Sequence, residues 1–142
     1  EMKELIAADS NICRNYKLLT SIKGVGPITA IVMLCSTLNF TKITDHRKFA
    51  CYCGLAPFEH SSGTSVCGGC HTSSMANRDI KVQLNRSALI AIRCDPQLKA
   101  YYERKVAEGK HKFSVLNAVR AKIAARCFAV VRRGTPYVAL QI

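Results

Sequence analysis

Residues 54–78, GLAPFEHSSGTSVCGGCHTSSMANR, interrupt a chain that is otherwise patterned for helices. The stretch follows neither the helical nor the strand period, and it holds five serines, four glycines, two cysteines and two histidines. A loop of this length inside a compact domain is uncommon and is usually functional. Glycines beside hydroxyls suit a place where backbone comes close to a ligand and a small nucleophile stands exposed. Apolar, helix-like sequence flanks the stretch on both sides, so the remainder is expected to form a frame for it. The predicted fold is mainly α: a helical domain containing a helix-hairpin-helix-like motif, with a long Gly/Ser-rich central loop.

Charge indicates what such a frame would face. The 142 residues include 21 Lys and Arg against nine Asp and Glu, a net charge of +12, and the basic residues recur along the whole chain. Such a field favours a phosphate polymer or an anionic surface, and nucleic acid is the better match than a merely solvated surface. No apolar run approaches the roughly 18 residues needed to span a bilayer. The first residues, EMKELIAADSNICRNYK, are mixed and charged rather than signal-like, so no membrane association is expected and the location is expected to be cytoplasmic, with the nucleoid. Four of the eight cysteines, Cys13, Cys35, Cys94 and Cys127, sit singly in apolar or helical stretches and read as reduced, small hydrophobes.

Taken in order, residues 2–19 place Leu5, Ile6, Ile12, Cys13, Tyr16 and Leu19 on one face of a helix. Residues 1–17 are expected to be the tail of a preceding helix or a linker within a larger protein. In residues 18–36, Gly24 and Gly26 break the helical pattern, and Pro27 fits the first position of a second helix running through Ile28–Leu34. A helix, a Gly24-Val25-Gly26 hairpin and another helix resemble the helix-hairpin-helix motif of DNA-handling proteins. There, turn N–H groups and a helix N-terminus meet a phosphate without reading sequence. The plainer reading is an αα-corner whose glycines serve the turn alone. Asp45 can cap a helix through His46, Arg47, Lys48, Phe49 and Ala50, with Arg47 and Lys48 available to a phosphate.

Beyond the central stretch, Asn77–Arg93 is helical, with Ile80, Leu84, Ala88, Ala91 and Ile92 on one side and Arg78, Lys81 and Arg86 near its start. Cations there oppose the helix dipole, and a bound anion would relieve the conflict. Asp95-Pro96 opens a further helix that ends near Gly109. The last helix, about residues 113–132, sets Val115, Leu116, Val119, Ile123, Phe128 and Val131 against Arg120, Lys122 and Arg126 as a basic outer face. Cys67-x-x-Cys70-His71, with Cys51-x-Cys53, invites a zinc reading. The CxC pair, however, falls inside a predicted helix, where residues two apart point to different sides, so no metal ligand is assigned.

The order of these signals resembles one family. IKGVGPITA, then FACYCGLAPFEHSSGTSV, then SSMANRDIKVQLNRSALIAI, then YYERKVAEGK, VLNAVRAKIAARCF and GTPY, are similar to the C-terminal transposase domain of IS110/IS116/IS902-type insertion-sequence transposases. The resemblance covers roughly residues 15–138, and its most telling part is GLAP followed by SSG and a helix opening in Asn-Arg.

The resemblance implies that a serine before the glycine of the central motif attacks a DNA phosphodiester and forms a covalent phosphoserine link. That residue is Ser62, followed by Gly63, with Ser61 as the alternative if the register slips by one. It also implies an N-terminal RuvC-like domain carrying four acidic ligands for Mg2+, so no cofactor is expected in this chain, which is expected to be inactive alone. Further implied partners are transposon-end and target DNA, a structured guide RNA, and other copies of the protein in a homo-oligomer. On chemical grounds, serine attack needs a base and nearby cations. Arg78 and Lys81 are the nearest downstream cations, Arg86 follows on the same helix, and His60 is either a base or a phosphate contact. The expected organisation is residues 18–142 as one domain, with 18–36 as the hairpin motif, 54–78 as the active-site loop and 79–133 as helices. Two other readings stand beside it: a non-catalytic helix-hairpin-helix DNA-binding module, and a zinc-stabilised interaction domain.

Overall fold

A computed structural model describes residues 1–55 and 74–139, with the backbone alone for 74–77. Among the described residues there are seven helices and no strand: α1 (Met2–Ala8), α2 (Ser10–Thr20), α3 (Pro27–Ser36), α4 (His46–Tyr52), α5 (Ser74–Cys94), α6 (Pro96–Ala107) and α7 (Lys112–Arg133). The mainly α expectation therefore holds. No helix among them is long and apolar enough to cross a membrane.

The single helix expected over residues 2–19 is two. Asp9 adopts an extended conformation and its carboxylate accepts from the N–H groups of Asn11 and Ile12, capping α2 and ending α1. An Asp inside an apolar period competes for backbone donors in this way. α1 buries no residue, whereas α2 buries Asn15, Leu18 and Leu19. The division expected between residues 17 and 18 thus falls inside α2. Other boundaries follow the capping chemistry. Asp45 caps α4 through Arg47 N–H, Asp95 caps α6 ahead of Pro96, and Gly134, at φ 71°, closes α7 with its N–H on Val130 O.

α5 and α7 form the centre. α5 packs on α3, α6 and α7, while α7 also meets α2, α4 and α6. The apolar face read for α5 is the buried one: Ile80, Leu84, Ala88 and Ala91 are buried, and Ile92 is half-buried. They join Leu19, Ile22, Met33, Phe49, Leu55, Val119, Ile123 and Phe128 in one core. Cys127 belongs to it, but Cys35 and Cys94 face solvent, so only part of the set expected as small hydrophobes is used that way.

Two close contacts fix the helices against each other. Gly24 sits at φ 94°, and a Cβ built there would lie 2.7 Å from Ser87 O and 2.9 Å from Ala91 Cβ. Beside it the buried hydroxyls of Thr29 and Ser87 are 3.0 Å apart, so small residues let α3 and its preceding turn approach α5. After α3 the chain makes an unusual turn, with Leu38, Asn39 and Phe40 all at positive φ. Thr37 holds it: its hydroxyl donates to Met33 O at 2.7 Å and accepts from Phe40 N–H at 2.9 Å. Asn15 Nδ2 donates to Asn39 Oδ1, and Phe40 packs edge-on against Phe128. Left-handed backbone costs an ordinary residue about 1–2 kcal/mol, so such contacts are needed to hold it.

The basic outer face expected of α7 is only partly realised. Lys122 is exposed, but Arg126 turns inward and donates to Asp95 at 2.7 Å and to Gln97 Oε1 at 2.7 Å. The Asp95 side chain is 2% exposed and that of Arg126 is 15% exposed. Burial alone would raise the Asp95 carboxyl. Hydrogen bonds from Arg126 and from the Leu98 and Gln97 N–H groups, with the Arg126 charge, outweigh it and hold the carboxyl below its ordinary range.

Two outcomes are expected. Gly24→Ala should lower stability by about 2–5 kcal/mol, from left-handed strain plus overlap with backbone. Gly26→Ala, at φ −89° and in open space, should cost under about 1 kcal/mol. Denaturant melts of both variants check this, and equal losses would refute the packing role of Gly24. Removing Arg126 leaves a buried carboxylate unpaired, so Arg126→Met should cost about 3 kcal/mol at pH 7. Because the folded-state pKa of Asp95 is depressed, the pair contributes fully above the unfolded carboxyl pKa of about 3.9 and is lost as pH falls through the lower folded value. The deficit of Arg126→Met relative to the native sequence should therefore shrink below about pH 4. A deficit independent of pH would overturn this.

Candidate nucleic-acid interface

Ser61, Ser62, His60 and Gly63 lie outside the described residues, as do Cys67, Cys70 and His71. The structure does describe the ground on which their segment stands. The chain leaves the core at Leu55 and is described again from Ser74, at the start of α5.

The departure point is firmly held. Leu55 is buried, its N–H donates to Ala50 O at 2.8 Å, and its carbonyl accepts from Asn117 Nδ2 of α7 at 2.9 Å. Gly54, at φ 64°, lies under the Lys81 side chain, where an added Cβ would come within 3.0 Å of Lys81 Nζ. An ammonium from α5 thus covers the backbone from which residues 56–73 depart. Lys81 and Arg78, three residues apart, share one face of α5 and are exposed. Arg86 is also exposed but is turned away from Lys81.

Arg120 is the least expected feature of this region. It lies three residues beyond Asn117, on the same side of α7, and its Nε is buried without a hydrogen-bond partner among the described residues. Partial burial lowers its guanidinium below the usual value, although arginine stays protonated at any physiological pH. On α5, one turn beyond Lys81, Asn85 has a buried Oδ1 that also lacks a partner among the described residues. Leaving a buried donor or acceptor unsatisfied costs about 1–3 kcal/mol each, more for a charged group, so a bound polar ligand here would be stabilising.

The other sequence-predicted residues are distributed around this root. Arg47 and Lys48 are exposed in the first turn of α4. None of Arg47, Lys48, Arg78, Lys81, Arg86 or Arg120 pairs with a carboxylate among the described residues. The Gly24-Val25-Gly26 turn is not part of the same cluster. Gly24 packs on Ser87 and Ala91, about 9–15 Å along α5 from Lys81 at 1.5 Å per residue. Val25 is buried and its N–H is engaged by Ile22 O at 3.0 Å, which leaves Gly26 as the open position of the turn, at the N-cap of α3. α5 begins at Ser74, so Arg78, Lys81 and Arg86 stand beyond its first turn, and the conflict with the helix dipole expected for them is weak.

Cys51 is exposed and Cys53 is buried, so this CxC pair points two ways. Burial pushes the Cys53 thiol up to about 12 against the opposing pull of the Lys81 charge, and at neutral pH it is a protonated core residue rather than a thiolate. Among the described residues no group of three or more His, Cys, Asp and Glu side chains converges on a point that could hold a metal ion.

Asn85, Asn117 and Arg120 were not singled out as site residues from the sequence. The available signal was polar residues at helical spacing, Lys81 with Asn85 and Asn117 with Arg120, on helices whose neighbouring turns point into the core.

Comparison with known proteins agrees with this arrangement of motifs. The model of the Transposase IS116/IS110/IS902 family matches residues 16–103. An uncharacterized 43.6 kDa protein of insertion element IS110 from Streptomyces coelicolor is 39% identical over 121 residues, covering 84% of this chain and 29% of the relative. An uncharacterized 42 kDa protein of insertion element IS900 from Mycobacterium paratuberculosis is 30% identical over 112 residues, 78% of this chain and 28% of the relative. The pilin gene-inverting protein of Moraxella bovis is 24% identical over 135 residues, 94% of this chain and 42% of the relative. The chain spans less than half the length of these relatives. With a family model covering most of its helical frame, and Lys81 and Arg78 within the matched region, the chain belongs to the IS116/IS110/IS902 transposase family.

Proposed function

We propose that this chain is the serine-nucleophile and DNA-gripping part of a transposase, and that Ser62 attacks a DNA phosphodiester held at the root formed by Gly54, Lys81, Asn117 and Arg120. The observation that carries this reading is Arg120, whose buried Nε has no hydrogen-bond partner among the described residues and which stands one helical turn beyond Asn117, the residue that holds Leu55. A buried guanidinium N–H with no acceptor is costly, and a phosphate oxygen would relieve the cost while being polarised by it.

In the reaction, Ser62 Oγ forms a bond to phosphorus as the bond from phosphorus to one sugar oxygen breaks. The serine proton passes to a base, for which His60 is the candidate, and the departing sugar oxygen gains a proton. One phosphodiester is exchanged for another, so a sugar hydroxyl of a second strand can reverse the step, rejoin DNA and release the serine without an external energy source. Negative charge builds on the non-bridging oxygens during both steps, where Arg120, Lys81 and Arg78 would stabilise it. Arg47, Lys48 and Arg86 would hold flanking phosphates, and Gly26 at the N-cap of α3 would add a sequence-blind backbone contact. Joining paired DNA ends implies more than one copy at work, so the active form is proposed to be a homo-oligomer. The Mg2+ implied by the family resemblance does not fit the described acids: no three of them converge on a point, Asp95 is committed to Arg126, and Asp45 to the cap of α4. It is assigned to a RuvC-like unit elsewhere in the full-length protein, and no step is routed through it here.

The test uses the full-length protein with a suicide DNA substrate. A covalent adduct should map to the peptide containing Ser61–Gly63 and disappear in Ser62→Ala, while DNA affinity stays within about threefold. Arg120→Met should slow adduct formation by about 100–1,000-fold, the usual loss for one charge-stabilising donor. Affinity for duplex DNA should fall steeply with salt, as neutralised phosphates release counterions. Adduct formation undiminished in Ser62→Ala would move the nucleophile elsewhere and leave this domain as a grip.

A further inference from the structure

A second basic surface lies on the far part of α7, away from the root of residues 56–73. α6, the C-terminal half of α7 and residues 135–138 enclose a groove of about 1080 Å³. Its walls carry Arg104, Lys122, Arg126 and Arg133 together with Tyr101 and Tyr137, and among the described residues no Asp or Glu lines it.

The groove is built rather than incidental. Its outer wall, residues 135–138, is anchored at two points. Tyr137 N–H donates to Ser21 Oγ at 2.9 Å, and Arg133 Nη2 donates to Pro136 O at 3.3 Å. The guanidinium of Arg126, fixed by Asp95 and Gln97, lies 4.8 Å from the centre of the Tyr137 ring. On the opposite wall Lys122 Nζ is 4.5 Å and the Arg104 guanidinium 5.7 Å from the Tyr101 ring centre. Arg104 has Glu108 at 4.0 Å and a side chain 66% exposed, while Lys122 has no carboxylate partner among the described residues. Two aromatic rings are thus set among cations in one concave surface.

We infer that this groove binds an unpaired DNA strand, with phosphates on Lys122, Arg104 and Arg133 and a nucleobase against the Tyr101 or Tyr137 ring. The combination selects this occupant. An acidic peptide would use the cations but has no call on the rings, and duplex DNA would present phosphates while keeping its base faces stacked inside. Only an unpaired strand offers anionic groups and bare π-faces together, the pairing that single-strand-binding surfaces use. The choice of DNA over RNA rests on the proposed function, in which strands are cut and exchanged, whereas the groove itself does not depend on Ser62.

Fluorescence anisotropy with a labelled oligo-dT 12-mer tests this on the chain described here, with oligo-U and a DNA duplex of equal length as the other arms. Lys122→Glu should weaken oligo-dT binding about tenfold or more, and Lys122→Ala should reduce the dependence of affinity on salt by about one phosphate contact. Tyr101→Leu, which keeps apolar bulk but removes the ring, should weaken oligo-dT at least about fivefold and change duplex binding less than twofold. Lys3→Glu on α1 makes the same change in net charge outside the groove and should have little effect. Thermal melts of each variant confirm that it is folded. Folded Lys122→Glu and Tyr101→Leu with native oligo-dT affinity would overturn the inference, as would equal losses in Lys3→Glu. Stronger binding of oligo-U than of oligo-dT would overturn the assignment to DNA. The readout here is affinity at Lys122 and Tyr101, with no covalent adduct involved, so its failure is distinguished from failure of the adduct assay.

Discussion

The Asp95 carboxylate is the joint on which three helices depend. It stands where α5 ends, accepts two N–H groups at the start of α6, and binds Arg126 from the middle of α7. A carboxylate taken almost wholly out of water would be strongly disfavoured alone, and these donors together make it tolerable. The same pairing fixes Arg126 against Tyr137, so the joint that orders the helices also shapes the groove between α6, α7 and the C-terminal residues. One buried ion pair therefore links the architecture to a surface with its own chemistry.

On the other side of the α5–α7 pair the design is reversed. There the cations have no carboxylate partner among the described residues. Lys81 lies over Gly54, the buried Nε of Arg120 has no acceptor among the described residues, and Asn117 holds the last described residue before the serine-containing segment. Stability would favour pairing these groups, as Arg126 is paired. Leaving them open accords with the proposed phosphate site, because a site already satisfied internally has nothing to offer a polyanion. The proposed function would give the pattern its sense, since cutting DNA requires that a phosphodiester backbone be held.

The separation of Gly24 from the loop root bears on how the glycines of the first hairpin should be understood. At Gly24 the absence of a side chain is explained by the backbone of Ser87 and by Ala91, which leave no space for one. Gly26 faces open space at the N-cap of α3. The two glycines look alike in the sequence and have different physical causes, one being close helix packing and the other an accessible helix start.

Much of the frame was legible in the residues because its causes are local. Asp45, Asp95-Pro96 and the apolar period of Ile80, Leu84, Ala88 and Ala91 each act over a few residues, and each marks its helix where it was expected. The break at Asp9 escaped notice because the apolar period continues across it, and only the carboxylate's hydrogen bonds decide between capping and continuing. Family resemblance was also carried by ordered local motifs. What the sequence could not show was which polar residues meet. Asp95 and Arg126 are 31 positions apart, and Asn117 and Leu55 are 62 apart. Whether an arginine on α7 is paired, left open like Arg120 or placed over a ring like Lys122 over Tyr101 depends on which helix lies opposite. Helical periodicity assigns a residue to a face, but only the packing of α5, α6 and α7 assigns that face a neighbour, and charge acquires its function from the neighbour.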